Sequence, residues 1–214
     1  MALQATHFRI AKDLAETIEI TDLEAYYCGA LYPDSRYRTD ILRSDTHGPQ
    51  CPHNPFDPSL TDFEKGWATH LLYDEISGAM QKAIMPKDMI HTMNLDHTWA
   101  YFTAIKIVED IFCVEAIGND ISIMTKLVVQ ETPNNELIDL LYEHYQSLDT
   151  LYGAESPSFE HHQQQFLDMN LPEGVIADMR SIAEELMQNE TEAQKIKAIY
   201  DETLRQILAK QISS

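Results

Sequence analysis

The residues best suited to chemistry in this chain are a histidine and an aspartate in the stretch from Phe63 to Asp74. Read as a helix, this stretch places His70 and Asp74 four residues apart, one above the other on one face. Phe63 and Trp67 fall on the same stripe, so we expect the two polar side chains to point inward. Buried groups of this kind need partners, and a cation bound between them would satisfy both. A salt-linked pair inside the core is the alternative.

Three further candidate ligands lie upstream of this pair: His7, Asp34 and His47. His7 falls on the buried stripe of a helix predicted over about residues 3 to 18, where a histidine hydrogen-bonded in the core is the alternative. Asp34 follows a helix end fixed by proline, a position that also suits an Asx-turn. Taken together, the five residues favour a metal site over these separate explanations.

The ligand set itself indicates the kind of metal. Three histidines and two aspartates, with no cysteine, suit zinc best and also permit iron or manganese. A closed structural zinc site would usually contain cysteines and close pairs of ligands, whereas these five residues are spread over the first third of the chain. We expect a site with room for water, and metal-activated water performs hydrolysis at neutral pH.

The composition predicts a single all-helical domain. A chain of 214 residues can build one sizeable core, and nothing in the sequence indicates a second domain. Only 7 glycines are present, helix-forming residues are frequent, and the alternating pattern of β-strands is missing. We therefore expect residues 1 to 214 to form one all-α, multi-helix bundle.

The charge of the chain restricts its partners. With 35 acidic and 15 basic residues the formal net charge is -20, a field that repels nucleic acid polymers and anionic membrane surfaces. A zwitterionic, neutral or small anionic substrate fits if a bound cation reverses the local potential. Neither a signal peptide nor an apolar run of membrane-spanning length is visible, and the three cysteines are expected to be reduced. We expect a cytoplasmic protein without membrane insertion; its oligomeric state is not specified by the sequence.

Two capping-box patterns predict helix starts in the first half of the chain. Thr21 with Glu24 opens a short helix, and Thr61 with Glu64 opens the central helix, which should extend to about Gly78. Between these helices, residues 33 to 60 form a long connection with five prolines and no periodicity. Long loops in compact domains are usually functional or disordered, and we expect an ordered, functional one.

Cationic residues near the candidate ligands could bind an anionic group. Arg38 and Arg43 lie in the long connection, and Lys106 lies on a helix predicted from about Asp96 to a stop at Gly118. Asp110 follows Lys106 by four residues, which favours a solvated salt bridge. If this face instead closes over the central helix, Asp110 could supply an additional metal ligand. Amphipathic helices are then expected at about 120 to 130, 135 to 151 and 157 to 168, with two more from 172 to 211.

The order of the candidate ligands resembles a known family. The motifs are Thr6-His7, Gly29-Ala30-Leu31-Tyr32-Pro33-Asp34, Asp45-Thr46-His47 and Gly66-Trp67-Ala68-Thr69-His70-Leu71-Leu72-Tyr73-Asp74. Over about the first 75 residues, this set resembles the zinc-dependent phospholipase C family, whose relatives include fungal single-strand nucleases. The resemblance implies an all-α bundle with a metal cluster in a cleft.

The resemblance also implies roles for the five residues. His7, Asp34, His47, His70 and Asp74 would be metal ligands, Asp74 would bridge two ions, and Asp34 would also serve as the catalytic base. Family members have a second His-x-x-x-Glu pair downstream and a processed N-terminal tryptophan, and this chain has neither. We therefore expect one or two ions rather than three.

The leading hypothesis is a zinc-dependent hydrolase, acting on a small-molecule or lipid-like phosphoester whose phosphate is neutralised by Arg38, Arg43 or Lys106. The first alternative is a non-catalytic protein in which a metal ion joins the N-terminal helices while the acidic C-terminal helices bind a partner. A helical interaction module without metal is the second alternative.

Overall fold

The computed structural model describes residues 3–37, 39, 41–87, 95–129, 132–133, 137–153 and 159–211. These residues form helices and connecting segments without a β-strand, which confirms the all-α prediction. The α-helices are α1 (Gln4–Leu14), α2 (Leu23–Leu31), α3 (Arg43–His47), α4 (Asp62–Ile84), α5 (Leu95–Ile117), α6 (Ile121–Met124), α7 (Ile138–Tyr152), α8 (Phe159–Asp168), α9 (Glu173–Gln188) and α10 (Glu190–Gln211). Two 3-10 helices, Tyr32–Tyr37 and Gly118–Asp120, follow α2 and α5.

The central helix α4 begins where the sequence predicts. The hydroxyl of Thr61 accepts a hydrogen bond from the backbone N–H of Glu64, and the carboxylate of Glu64 accepts one from the backbone N–H of Thr61, so the capping box is present. The helix continues past Gly78, the predicted end, to Ile84. One glycine costs a helix only about 1 kcal/mol, and the buried side chain of Gln81 beyond it keeps the helix packed.

Helices α2 and α4 pack against each other through two glycines. A Cβ atom on Gly66 would lie 1.9 Å from the backbone oxygen of Tyr26, and one on Gly29 would lie 1.9 Å from the backbone oxygen of Phe63. No side chain fits at either position, so the two backbones are in direct contact there. This contact holds the C-terminal end of α2 against the N-terminal half of α4, where the carbonyl oxygen of Ala30 lies 2.8 Å from His70 Nδ1.

The start of α2 differs from the prediction in its cap. Asp22 is the N-cap, and its side chain accepts a hydrogen bond from the backbone N–H of Ala25. Thr21 instead donates its hydroxyl to Asp62 Oδ2 at 2.6 Å. The Thr21 capping box is therefore wrong, because a carboxylate from α4 binds the hydroxyl that would have capped α2.

The connection from residue 33 to residue 60 has more structure than predicted. The helical path of α2 continues through Pro33 into the 3-10 helix that contains Asp34, so the expected helix end at Pro33 is only the end of the α-helix. Proline fits there because early positions of a helical segment do not need its missing N–H. The short helix α3 follows, and Trp67 Nε1 of α4 donates a hydrogen bond to Thr46 O at 2.8 Å, which fixes α3 on the central helix.

Helices from the second half of the chain pack on helices from the first half. Helix α5 packs on α1 and α9, and α10 packs on α4 and α5. The predicted stop at Gly118 is confirmed, since this glycine has a φ of 58°. Of the helix predicted from 120 to 130, the described residues form only α6. Asn189 caps α10, since its side-chain oxygen accepts hydrogen bonds from the backbone N–H groups of Thr191 and Glu192.

Two global expectations concern the cysteines and the membrane. All three cysteines are free and buried, as expected for reduced thiols. Among the described residues, no helix combines the length and the apolar character that a membrane crossing requires.

Candidate metal centre

The structure brings the five predicted ligands together from four separate segments of the chain. His7 comes from α1, Asp34 from the 3-10 helix after α2, His47 from the end of α3, and His70 and Asp74 from α4. Asp74 is central: its Oδ1 lies 3.6 Å from His7 Nε2, and its Oδ2 lies 3.7 Å from both His47 Nε2 and His70 Nε2. Asp34 Oδ2 lies 3.9 Å from His7 Nε2.

These separations are too long for hydrogen bonds and close to those between ligands of one ion. A hydrogen bond from an imidazole to a carboxylate spans about 2.7–3.2 Å. Two ligands that each lie about 2.1 Å from a tetrahedral ion are roughly 3.4 Å apart. His7, Asp34 and His70 form one group whose ligand atoms lie within 4.8 Å of one another, and His47, His70 and Asp74 form a second. The arrangement can therefore hold a cation.

Several buried atoms of the candidate ligands have no hydrogen-bond partner in the part of the chain that the structure describes. They are both ring nitrogens of His7, both carboxylate oxygens of Asp34, and the Nε2 atoms of His47 and His70. A buried polar atom without a partner costs about 1–3 kcal/mol, so a fold that keeps this many together without compensation would be poorly stable. A bound cation would satisfy them at once.

Two of the imidazoles are already oriented for binding through Nε2. His70 Nδ1 lies 2.8 Å from Ala30 O, which can only accept, so Nδ1 carries the proton and Nε2 presents its lone pair. His47 Nδ1 lies 2.8 Å from the hydroxyl of Thr46. Partners of this kind on the second nitrogen are what metal-binding histidines usually have.

Burial keeps the histidines in the neutral form that binds metal. It lowers the pKa of His70 to about 3 and lowers the pKa of His7 well below its usual value. The rings of His7 and His70 are stacked with their centroids 3.5 Å apart, so a charge on one also disfavours a charge on the other. Burial likewise lowers the pKa of His47. No proton needs to leave these rings before a cation binds at neutral pH.

Asp34 and Asp74 differ in their surroundings. Asp34 is 1% exposed, and burial together with the nearby carboxylate of Asp74 raises its pKa to about 7. Asp74 is the most open member of the cluster, with a side chain that is 12% exposed, and His47 follows with 7%. Solvent and any substrate therefore reach the cluster from the side of Asp74 and His47.

Helix α5 contributes no ligand to either of the two groups found among the described residues. Asp110 Oδ1 accepts hydrogen bonds from the N–H and the hydroxyl of Thr6, and its Oδ2 accepts one from the hydroxyl of Tyr152. The expected solvated salt bridge with Lys106 is wrong because Lys106 is 4% exposed and Asp110 is fully buried. The additional-ligand hypothesis for Asp110 is also disfavoured, since both of its oxygens bind protein donors.

The three cationic residues that were predicted to bind substrate differ in what the structure shows of their positions. Burial lowers the pKa of Lys106, and the carboxylates of Asp74 and Asp34 oppose part of this lowering. Its ammonium group is therefore close enough to the cluster to interact with both aspartates. Its ammonium group lies 4.0 Å from the centre of the Phe102 ring. Arg43 is exposed and lies one helical turn before His47. Arg38 lies outside the described residues.

Two functional candidates, Arg36 and Glu109, were not among the site residues predicted from the sequence. Arg36 acts on the pKa of Asp34 and His47, which places a further cation beside the cluster. Its position two residues after Asp34 is a signal that could have identified it. Glu109, which is 1% exposed, accepts a hydrogen bond from Tyr73, the residue before Asp74. Only the folded structure reveals that pair, because the two residues lie 36 positions apart.

Comparison of the chain with protein-family models, with curated proteins and with solved structures found no match. The resemblance to the zinc-dependent phospholipase C family therefore stays a prediction. The case for the five-residue cluster depends on the contacts described above.

Proposed function

We propose that the chain binds one or two divalent metal ions, zinc best of all, through His7, Asp34, His47, His70 and Asp74, and hydrolyses phosphoester bonds. The observation that carries the proposal is the convergence of five candidate ligands from four segments, three of them buried, with ligand atoms that face one another and have no hydrogen-bond partner among the described residues. The nitrogen and oxygen ligand set favours zinc and permits iron or manganese. The two oxygens of Asp74 face different histidines, which is compatible with one ion or with two ions bridged by this carboxylate.

The charges around the cluster favour an anionic substrate. A divalent ion bound here would neutralise the carboxylates of Asp34 and Asp74, and the buried ammonium of Lys106 would then leave the centre positive inside an acidic protein. Arg43 adds a cation at the rim that is open to solvent. A phosphate group reaching Asp74 from that side would bind between the exposed guanidinium and the buried ammonium.

The proposed chemistry is hydrolysis by water. Zinc held by the candidate ligands would supply a water of lowered pKa and would stabilise the negative charge that develops on a phosphoryl oxygen. Asp34 is the proposed general base, in line with the motif resemblance. Its Oδ2 faces His7, and its Oδ1 accepts no hydrogen bond from the described residues, so Oδ1 can accept the proton of the attacking water.

Metal content and hydrolysis test the proposal together. We expect the purified protein to contain about one or two equivalents of zinc, iron or manganese, because the ligand set has that capacity. We further expect cleavage of a chromogenic phosphodiester or phosphomonoester, such as bis(p-nitrophenyl) phosphate or p-nitrophenyl phosphate, that stops on chelation and returns with zinc. Elemental analysis and absorbance assays measure both. Metal without hydrolysis across an ester panel would contradict the enzymatic part, and absence of metal would contradict the whole proposal.

A second function, a metal-joined scaffold without catalysis, is favoured by one specific observation. The ligands come from α1, the 3-10 helix, α3 and α4, so one ion would cross-link most of the N-terminal half. In that case a chelator should lower the midpoint of thermal unfolding strongly, because an ion at 100 times its dissociation constant stabilises the folded state by about 2.7 kcal/mol. Thermal unfolding with and without chelator measures this shift. A large shift in a protein without esterase activity supports the scaffold, and a small shift with activity supports the enzyme.

A further inference from the structure

Helix α5 carries buried acidic residues that the proposed function does not use. Glu109 and Asp110 are 1% and 0% exposed, and neither is in a ligand group found among the described residues. We propose that Glu109 and Asp110 are positioning residues of the metal centre, each holding the residue that immediately precedes a ligand. This inference rests on the proposed metal site.

Asp110 acts on α1, the helix that carries His7. The first N–H groups of a helix have no partner within the helix and need a cap. The residue at the N-cap of α1 is Leu3, whose side chain cannot accept a hydrogen bond. Asp110 supplies the acceptor from α5 instead, at 2.8 Å from Thr6 N and 3.0 Å from Thr6 Oγ1. The start of α1, and with it the position of His7, is therefore set by a carboxylate on another helix.

A tyrosine in turn orients this carboxylate. Tyr152 on α7 donates its hydroxyl to Asp110 Oδ2 at 2.7 Å, and Ala5 N lies 3.4 Å from the same hydroxyl. His162 Nε2 is a further neighbour, 3.6 Å from Asp110 Oδ2. Both oxygens of Asp110 thus have fixed partners, so it can hold Thr6 in one place.

Glu109 acts on α4, the helix that carries His70 and Asp74. Its Oε1 accepts a hydrogen bond from the Tyr73 hydroxyl at 2.6 Å, and its Oε2 accepts one from Gln81 Nε2 at 2.6 Å. The ring of Tyr73 meets the ring of His7 edge to face, with centroids 5.8 Å apart. Tyr73 is therefore fixed between a carboxylate of α5 and a ligand of α1, directly beside Asp74.

The two contacts follow one rule. Thr6 precedes His7 and Tyr73 precedes Asp74, and adjacent residues of α5 bind both. A buried carboxylate that accepts hydrogen bonds on both oxygens is a rigid support. Groups that hydrogen-bond a ligand directly change metal affinity by about 10–100-fold, and because these two carboxylates act through the neighbouring residue, we expect an effect at the lower end of that range. Support for the core alone would change folding stability and leave the metal affinity of the folded protein unchanged.

Three buried tyrosines provide a matched test. The hydroxyls of Tyr73, Tyr152 and Tyr200 each donate a hydrogen bond to a carboxylate, at 2.6, 2.7 and 2.8 Å. Tyr73 and Tyr152 bond Glu109 and Asp110. Of the three, Tyr200 is the control, because it bonds Asp13 at the other end of α1. The variants Tyr73→Phe, Tyr152→Phe and Tyr200→Phe therefore remove the same kind of bond. Asp110→Asn tests the Asp110 carboxylate directly.

The experiment measures cobalt and zinc binding by the full-length protein. Dissociation constants come from competition with a chromophoric chelator, and the visible spectrum of bound Co²⁺ reports the geometry of the ligands. We expect Tyr73→Phe and Asp110→Asn to weaken binding by up to about 10-fold and to change the cobalt spectrum. Tyr152→Phe should act in the same direction by a smaller factor, and Tyr200→Phe should leave affinity and spectrum as in the wild type. Thermal unfolding of each apo protein verifies that it is folded.

The outcomes separate this inference from the proposed function. If the wild type binds neither ion, the metal site itself is wrong and the positioning role is wrong with it. If the wild type binds metal and all three tyrosine variants match it, only the positioning role is overturned. If Asp110→Asn does not fold, Tyr73→Phe and Tyr152→Phe compared with Tyr200→Phe still decide the question, because each keeps its buried ring.

Discussion

We expect the substitution His70→Asn to abolish metal binding at physiological zinc levels, with a loss of affinity of at least about 100-fold. His70 belongs to both ligand groups, so its removal affects every arrangement of ions that the cluster allows. Loss of a partner outside the ligand shell already costs about 10–100-fold, and a ligand contributes more than such a partner. Asparagine suits the test because its amide N–H can replace Nδ1–H at Ala30 O while nothing replaces Nε2.

A second buried histidine provides the control. His144 is 2% exposed and lies on α7, outside both ligand groups. His144→Asn should destabilise the protein by a similar amount and bind zinc as the wild type does. Isothermal titration of the apo proteins, together with elemental analysis of each protein as purified, measures the difference. Equal zinc content in the two variants would contradict the assignment of His70 as a ligand.

The stability of the same variants should depend on zinc. Ligand that binds only the folded state adds stability that grows with the ratio of its concentration to the dissociation constant. Saturating zinc should therefore raise the unfolding midpoint of the wild type and of His144→Asn, and leave that of His70→Asn nearly unchanged. A zinc-dependent shift in His70→Asn equal to that of the wild type would mean that the ion binds elsewhere.

The central pair of the candidate site, His70 and Asp74, was predictable because its signal is local. His70 and Asp74 lie one helical turn apart on a helix whose capping box is itself local, so neither inference required knowledge of the fold. The remaining candidate ligands, His7, Asp34 and His47, were inferred from residue type and order, and their convergence depends on how α1, α2 and α3 pack on α4. In the sequence, this convergence was suggested only by the resemblance of the motif order to the zinc-dependent phospholipase C family.

Asp110 shows where sequence reasoning reached its limit. Its spacing from Lys106 is that of a surface ion pair, and its chemistry is that of a metal ligand. Its role is decided by the hydrogen bonds that it accepts from Thr6, 104 positions away, and from Tyr152, 42 positions away. A carboxylate surrounded by three protein donors has little capacity left for a metal ion, and no local pattern indicates that these donors are present.

The predicted cap of α2 is wrong for the same physical reason, a contact with a residue that is distant in the sequence. Thr21 has the spacing of a capping residue, and its hydroxyl binds Asp62 of α4 rather than its own helix. The backbone N–H groups of Thr21 and Asp22 bind the same Asp62 oxygen, at 2.9 and 2.7 Å, so one carboxylate joins the starts of α2 and α4. Tertiary contacts of this kind override a local capping preference of about 1 kcal/mol.

The second large effect is expected at the contact between α2 and α4, where we predict opposite results for two glycines on one helix. Gly66→Ala places a methyl group 1.9 Å from the backbone oxygen of Tyr26, and a backbone atom cannot move aside as a flexible side chain can. Gly78→Ala places the same group where, apart from the nearby backbone of its own helix, no atom of the described residues lies within 4 Å. The first substitution forces two helices apart, whereas the second only removes the entropic cost of a glycine in a helix.

Chemical unfolding with urea measures both effects. Gly78→Ala should raise the free energy of unfolding by about 0.5–1 kcal/mol. Gly66→Ala should lower it by about 3 kcal/mol, the upper end of the usual cost of overpacking. Because separating α2 from α4 also moves Ala30 O away from His70 Nδ1, zinc affinity should fall in Gly66→Ala and stay unchanged in Gly78→Ala. Equal stabilities for the two variants would show that the backbones of α2 and α4 are not in contact at Gly66, and the position assigned to His70 would then be wrong as well.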